Sequence, residues 1–196
     1  GGAYIGSSSG TAEYEGVRRR DERNSRGGLH KNLDKCDDAP TASFPIVTDP
    51  NYFIQPDLHR KLEISRASGG GGGGADPALL SKVANFTVGH REFGKVTFLG
   101  LTDVRGIDVT DVVQFTRGAL EVYARRTPLP PVGRGLNKPA LVTLYGVFPE
   151  REGNGGRRES TSEYIRTLRR LTEEQGAIFL GYEPKDGLWK MKVPHF

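Results

Sequence analysis

The sequence predicts an α+β fold, mainly an antiparallel β-sheet or sandwich with a few flanking helices and a disordered N-terminal tail. Short segments rich in β-branched and aromatic residues, each bounded by Gly, Asn or Asp, recur from residue 85 onward. One segment near residue 160 has clear helical periodicity, whereas residues 1–48 have neither a 2.0 nor a 3.6 residue period. A hydrophobic content of 35% with 27 glycines fits a chain that is only partly core.

Two parts of the chain differ in composition. Residues 1–48 are rich in Gly, Ser, Arg and Asp, which predicts a flexible linker. Residues 49–196 carry the regular patterns and are predicted to form one folded domain. Within that domain the six glycines at 69–74 predict a flexible insertion, because no lysine and Ser/Thr follow them as a phosphate-binding loop requires.

Two short helices are predicted on either side of the glycine run. Asp57 is a suitable N-cap for the first, and Leu58 and Leu62 lie one turn apart on a single face. Asp76 is the expected cap of the second, with Pro77 in the first turn, where the missing N–H has no cost.

Strands dominate the middle of the domain. The predicted strands are residues 85–90, 94–100, 111–116, 119–124 and 140–148. The sequence TRGA between the third and fourth favours a tight hairpin, and the Pro and Gly of residues 127–139 exclude regular structure there. The last of these strands is the longest and is predicted to be central.

The clearest helix begins after residue 160. Ser160 and Glu163 form a capping box, and the apolar positions Tyr164, Leu168 and Leu171 follow at helical spacing until Gly176 ends the helix. The segments AIFLGYE and LWKMKVPHF, joined by PKDG, then predict a final hairpin.

Several chemistries are excluded by composition. The single cysteine, Cys36, excludes an internal disulfide framework, and the four histidines have no ligand partners at metal-binding spacing. No Gly-x-Ser-x-Gly turn joins a predicted strand to a helix, because GSSSG lies in the predicted linker, and VGRGLNKP contains no GxGxxG. We therefore expect no metal and no cofactor. No apolar run reaches the about 18 to 20 residues of a membrane span. A net charge of +4 is compatible with weak RNA contact only.

The C-terminal sequence GLWKMKVPHF is unusual because a strand pattern continues to the last residue. If the natural chain continued, the side chain of a following Ser, Thr or Cys would be suited to attack the Phe196 carbonyl. His195 would then act as the proton acceptor. Pro194 suggested a strained bend beside that bond. The alternative is that residue 196 is an arbitrary boundary and His195 a surface residue.

Four stretches in the second part of the chain are informative together: DPNYFIQPDL, FTVGHREFGKVTFLG, VYARRTPLPPVGRGLNKPALVTLYGVFP and RRLTEEQGAIFLGYEPKDGLWKMKVPHF. In sequence and in order they resemble the C-terminal autoproteolytic domain of the ninety-eight-kilodalton FG nucleoporin family, with PPVGRGLN in the third stretch as one of the more specific motifs. The resemblance covers about residues 49–196. It implies a serine-type, single-turnover autopeptidase that cuts after Phe196 by an N-to-O acyl shift, with a serine next in the family pattern.

The resemblance also implies supporting residues in GLNKP. Asn137 is a candidate to polarise the Phe196 carbonyl or to orient the scissile turn, and Lys138 is a second candidate with more charge. Both residues also suit plain turn chemistry, because Asn tolerates left-handed backbone geometry and Lys before Pro is commonly solvated.

After cleavage, the resemblance implies an anchor in the nuclear pore complex of the nucleus. The domain would tether an upstream FG-repeat region by binding peptides of scaffold and cytoplasmic-face nucleoporins or its own cleaved C-terminal fragment, supporting transport of protein and mRNA. The expected peptide-binding residues are Trp189, Met191, Val193 and Tyr182, although Trp189 and Tyr182 also fit simple core positions. Phe148 departs from a Trp that is common in the family. The alternative function is a non-catalytic peptide- or RNA-binding scaffold.

Overall fold

The computed structural model describes residues 3–6, 43–67, 77–124, 129–149 and 160–196. Its strands are β1 (Ala3–Gly6), β2 (Tyr52–Gln55), β3 (Val83–Ala84), β4 (Thr87–His90), β5 (Gly94–Phe98), β6 (Leu101–Thr102), β7 (Val113–Thr116), β8 (Ala119–Val122), β9 (Ala140–Leu144), β10 (Ile178–Glu183) and β11 (Leu188–Val193). Its helices are α1 (Leu58–Ala67), α2 (Pro77–Ser81), α3 (Val109–Val112) and α4 (Thr161–Glu174). The predicted α+β class is confirmed.

The main sheet has six antiparallel strands in the order β10-β11-β9-β5-β4-β2. The alternation in β5, β9 and β11 places apolar side chains on one face, as a period of two requires. In register, Val96 lies opposite Val142, which lies opposite Met191, and all three are buried. The prediction that the strand beginning at Ala140 is central is confirmed, since β9 pairs on both sides.

A second sheet is smaller and has the order β1-β8-β7, while β3 and β6 form a separate pair. The β7–β8 hairpin is the one that TRGA predicts. Strand β1 lies inside the predicted linker of residues 1–48 and pairs with β8 from Ala3↔Val122 to Gly6↔Ala119. Residues 43–48 are also described, and Ile46 bridges to Asp108. The remainder of the linker lies outside the described residues, and its flexibility stays a prediction.

Helix α4 confirms the capping box, because Ser160 accepts from the Glu163 N–H and the Glu163 carboxylate accepts from the Ser160 N–H. The Arg169 guanidinium lies 4.9 Å from the centre of the Phe179 ring on β10.

Asp57 caps α1 as predicted, accepting from the Arg60 N–H at 3.1 Å. Asp76, the glycine run and residues 151–159 lie outside the described residues.

Helix α3 and strand β2 also differ from the sequence prediction. Residues 111–112 end helix α3 instead of beginning a strand, because the Asp108 side chain accepts from the Asp111 N–H and caps a helical turn. Strand β2 is not among the predicted strands, and it pairs with β4 at the edge of the main sheet. Its sequence YFIQ does not alternate between apolar and polar residues, so it has no visible period of two.

The centre of the core contains one buried side-chain hydrogen bond between α4 and β11. The indole N–H of Trp189 donates to the Thr172 hydroxyl at 3.0 Å, and that hydroxyl donates to the Leu168 carbonyl at 2.7 Å. Trp189 and Thr172 are both 0% exposed. The pair thus lets a tryptophan be buried completely with its only polar atom satisfied.

The substitution Thr172→Val should lower the free energy of unfolding by about 1–3 kcal/mol, because the buried Trp189 N–H would lose its acceptor. Urea titration followed by tryptophan emission measures this directly, since the chain has one Trp. Thr143→Val is the matched control, because Thr143 is half-buried on the opposite face of β9. Equal losses in the two variants would contradict the assignment.

Candidate active site

The C-terminal residue is part of the core and does not extend into solvent. The Phe196 side chain is buried, with 4% exposed, and its ring centre lies 5.9 Å from that of Phe98 on β5. The Phe196 N–H donates a buried hydrogen bond of 2.9 Å to the side-chain oxygen of Asn137. Two contacts from different elements therefore fix the residue after which cleavage is predicted.

Asn137 is itself held by its own loop, residues 129–139. Its backbone N–H donates to the Arg134 carbonyl at 3.0 Å, and its carbonyl accepts from the Gly133 N–H at 2.6 Å. Its side-chain amide donates to the Pro130 carbonyl at 2.7 Å. Of the two roles predicted for Asn137, the geometry favours orientation of Phe196, because the oxygen faces that residue while the amide group is bonded to Pro130.

The Lys138 side chain contacts β6. Its ammonium group donates to the Leu101 carbonyl at 2.5 Å and lies 3.4 Å from the Thr102 hydroxyl. The residue is buried, and burial lowers the pKa of its amine because the charged form loses hydration. Lys138 therefore does not take part in the hydrogen bond between Asn137 and Phe196, and its catalytic role stays a prediction.

His195 has an exposed side chain, one residue before the buried Phe196. Strand β11 ends at Val193, and Pro194 supplies no N–H to continue the ladder. The strained bend suggested for this segment finds no support, because residues 193–196 contain neither a cis peptide bond nor a positive φ. The imidazole is thus placed at the surface beside the bond predicted to break.

The four predicted peptide-binding residues separate into two groups. Trp189, Met191 and Val193 are 0%, 0% and 1% exposed, so they fill the core. A peptide would reach these side chains only by displacing core neighbours, and their role in peptide binding stays a prediction. Tyr182 is half-buried and lies on β10, where burial raises the pKa of its phenol.

Tyr182 contributes to a groove of about 440 Å³ that sequence reasoning missed. The groove is lined by Phe148, Pro149, Ser160, Thr161, Tyr164, Tyr182 and Pro184. The rings of Tyr164 and Tyr182 meet edge to face at 5.3 Å, and the Tyr182 hydroxyl donates to the Val147 carbonyl at 2.9 Å. Phe148 is 52% exposed. The aromatic residues come from three separate segments, so sequence spacing alone offered little signal.

Neither a metal-binding cluster nor a membrane-spanning helix occurs among the described residues. The described residues hold no cluster of three or more His, Cys, Asp and Glu side chains arranged to bind a metal ion. Within the same residues no helix combines the length and apolar character needed to cross a bilayer.

The position of Lys138 predicts a pH dependence of stability. Because its pKa is lowered in the folded state, the unfolded chain holds more protons between that value and the ordinary 10.5. Stability relative to Lys138→Met should therefore rise with pH across this window. Urea titrations at a series of alkaline pH values measure the difference. Lys192→Met, at an exposed position, is the control for removal of a lysine charge. A Lys138→Met series that does not vary with pH would contradict the prediction.

The family model described as "Nucleoporin2: Nup98-96 autopeptidase S59" matches residues 74–196. Nuclear pore complex protein NUP96 of Arabidopsis thaliana is 36% identical over 154 residues, which cover 79% of this chain and 14% of that relative. Nuclear pore complex protein Nup98-Nup96 of Drosophila melanogaster is 34% identical over 119 residues, covering 58% of this chain and 6% of that relative. This chain thus spans a small fraction of these curated relatives.

Solved structures share the fold. A mutant of the Chaetomium thermophilum Nup145N APD fused to Nup145C N is 28% identical, with a TM-score of 0.55, covering 74% of this chain and 94% of that chain. A chain of the yeast heterotrimeric Nup82-Nup159-Nup116 nucleoporin complex has a TM-score of 0.58 over 76% of this chain and 98% of that chain, and at 24% identity it shows the fold alone.

The relatives are nuclear pore complex proteins, which confirms the predicted localisation to the nucleus and the pore. The resemblance on the motifs PPVGRGLN and HF is confirmed by a family model that spans more than half of the chain, up to Phe196. With that residue buried and bonded to Asn137, the sequence and the fold lead to one conclusion: this chain belongs to the Nup98-96 autopeptidase family of nucleoporins.

Proposed function

We propose that this domain cuts its own backbone after Phe196, once, and then serves as a peptide-binding anchor in the nuclear pore complex. The observation that carries the first part is the buried hydrogen bond from the Phe196 N–H to Asn137. The matching family model is described as an autopeptidase. A hydrogen bond that fixes Phe196 therefore supports the proposal that the cut lies next to this residue. The second part is supported by the groove beside Tyr182.

The proposed reaction has two steps and needs a hydroxyl-bearing residue after Phe196 in the full gene product. In the first step that hydroxyl oxygen attacks the Phe196 carbonyl carbon, a C–O bond forms, and the C–N bond to the next residue breaks. The hydroxyl proton goes to the released amine. In the second step water hydrolyses the ester, which leaves a carboxyl group on Phe196 and restores the hydroxyl on the departing fragment.

The residues of the site have separate tasks in this scheme. His195 takes the hydroxyl proton and returns it to the leaving amine, the general acid–base role that histidine fills most often in enzymes. Asn137 holds the Phe196 N–H, so that the carbonyl beyond it has a fixed direction. Because nucleophile and carbonyl belong to neighbouring residues, the attack is intramolecular and gains several kcal/mol over a bimolecular one. Lys138 supports the loop by its bond to the Leu101 carbonyl.

After the cut, the domain tethers its upstream region by holding an extended peptide in the groove of Phe148, Tyr164 and Tyr182. The peptide belongs to another nucleoporin or to the released C-terminal fragment. One exposed and two half-buried aromatic rings next to hydroxyl groups suit a short segment with one or two apolar anchors. This anchoring would support transport of protein and mRNA through the pore. A peptide-binding scaffold without any chemistry is the second candidate, and the same groove favours it.

The cleavage proposal predicts the behaviour of a chain extended past Phe196 by the residues its gene encodes. The parent should separate into two bands on a denaturing gel, and His195→Ala should cleave at least about 100-fold more slowly, because general base catalysis contributes that much. Hydroxylamine should accelerate the parent's cleavage, since it attacks the ester that the first step forms.

His59→Ala is the matched control, because His59 is also exposed and stacks on Phe44 with ring centres 4.4 Å apart. It should cleave at the parent rate. A folded parent that stays intact, with a hydroxyl residue at the next position, would leave only the scaffold function.

The anchoring proposal predicts that Phe148→Ala weakens binding of a synthetic peptide with the sequence that follows Phe196 in the gene product. We expect about a tenfold loss of affinity by titration calorimetry, because the variant removes an exposed aromatic wall of the groove. Val132→Ala is the control, since Val132 is 64% exposed and is not among the residues that line the groove. Equal affinities in the two variants would exclude this groove as the docking place.

A further inference from the structure

The loop that carries Asn137 is hydrogen-bonded to Tyr123, a residue that has no role in the proposed reaction. Tyr123 follows strand β8 and is buried. Its φ of 62° lies in the left-handed region, which is uncommon for a bulky residue. Its backbone N–H donates to the Val112 carbonyl at 2.8 Å, so the unusual backbone is fixed by α3. The result is a side chain with one defined direction.

The Tyr123 hydroxyl contacts the loop at the backbone of Leu136. It accepts a buried hydrogen bond of 2.9 Å from the Leu136 N–H. A Cβ added at Gly135 would lie 2.6 Å from the same hydroxyl oxygen, and Gly135 has a φ of +54°. A glycine is therefore needed at 135 both for the turn and for the approach of the ring.

The residue that Tyr123 holds is the direct neighbour of the one that holds Phe196. Leu136 is 0% exposed, and the next residue, Asn137, accepts from the Phe196 N–H at 2.9 Å. Two hydrogen bonds, and the peptide link between Leu136 and Asn137, thus connect the Tyr123 hydroxyl to Phe196. We propose that Tyr123 is a positioning residue for self-cleavage, because its hydroxyl sets the place of Asn137 and so the place of Phe196.

This inference rests on the proposed function. Tyr123 contacts neither the reacting carbonyl nor the nucleophile in the scheme above, so it acts through Asn137. The effect on rate is expected to be large for a remote group, because a displacement of about 1 Å between reacting atoms can reduce a rate about 100-fold. Loss of the phenol oxygen alone, with the ring retained, should have a smaller effect.

The first test compares Tyr123→Phe with Tyr52→Phe in the chain extended past Phe196. Both variants remove a phenol oxygen that accepts a hydrogen bond from a backbone N–H, that of Leu136 at 2.9 Å in the first case and that of Phe115 at 3.2 Å in the second. We expect cleavage about tenfold slower in Tyr123→Phe and unchanged in Tyr52→Phe. Equal rates in the two folded variants would overturn the inference.

A glycine pair provides a second test that keeps the phenol, in case Tyr123→Phe fails to fold. Gly135→Ala places a methyl group against the Tyr123 hydroxyl, whereas Gly133→Ala has nothing within 4 Å of its added Cβ. Both positions have positive φ, +54° and +88°, so backbone strain is common to the two. Slower cleavage in Gly135→Ala than in Gly133→Ala is expected, and equal rates would count against the inference.

Amide hydrogen exchange at Phe196 separates failure of this inference from failure of the proposed function. In the chain ending at Phe196, Tyr123→Phe should speed exchange of the Phe196 N–H several-fold relative to Tyr52→Phe, because Asn137, the acceptor of that N–H, is held less firmly. If the extended parent does not cleave, the proposed function fails and this exchange alone decides the positioning role. Unchanged exchange at Phe196 would overturn that role, whether or not cleavage slows.

Discussion

The site depends on one buried hydrogen bond, from the Phe196 N–H to the side-chain oxygen of Asn137. This bond joins the end of the main sheet to the irregular loop of residues 129–139, which contains no β-strand. An unpaired N–H at this depth would cost about 1–3 kcal/mol, so the bond fixes both partners. Because the Phe196 ring is buried next to Phe98 at the same time, this backbone is held by polar and by apolar contacts.

The sheet and the loop make different contributions to that arrangement. In the sheet, Phe98 lies opposite Ala140, which lies opposite Val193, so a rigid cross-strand row ends close to Phe196. The small side chain of Ala140 leaves room in this row for the ring of Phe98. The loop reaches the same place only through backbone turns that positive φ permits, at Gly133 and Gly135. The strands of the main sheet thus form a rigid support, and the loop supplies the Asn137 oxygen that orients Phe196.

Period-two alternation and cap chemistry were enough to predict β5, β9, β11 and α4, because each element is long and local pattern decides it. Helix α3 and strand β2 were not predictable in this way, since YFIQ in β2 shows no apolar–polar alternation and the Asp108 cap competes with a strand pattern over α3. The motif HF and Asn137 were identifiable from resemblance. That the Asn137 oxygen, and not its amide, faces Phe196 depends on Pro130 accepting the amide, which no sequence pattern encodes. The aromatic groove likewise needs three distant segments to meet.

The single turnover that we propose has a physical reason in the burial of Phe196. An ordinary protease must release both products before it binds again, whereas the proposed cut leaves one product end covalently attached and 4% exposed. Removing a phenylalanine ring from such a place costs about 2–3 kcal/mol. The new carboxyl group would therefore stay beside the site and exclude further substrate. A fold that keeps its own product cannot act as a repeating enzyme, but it can remain a stable platform for a bound peptide.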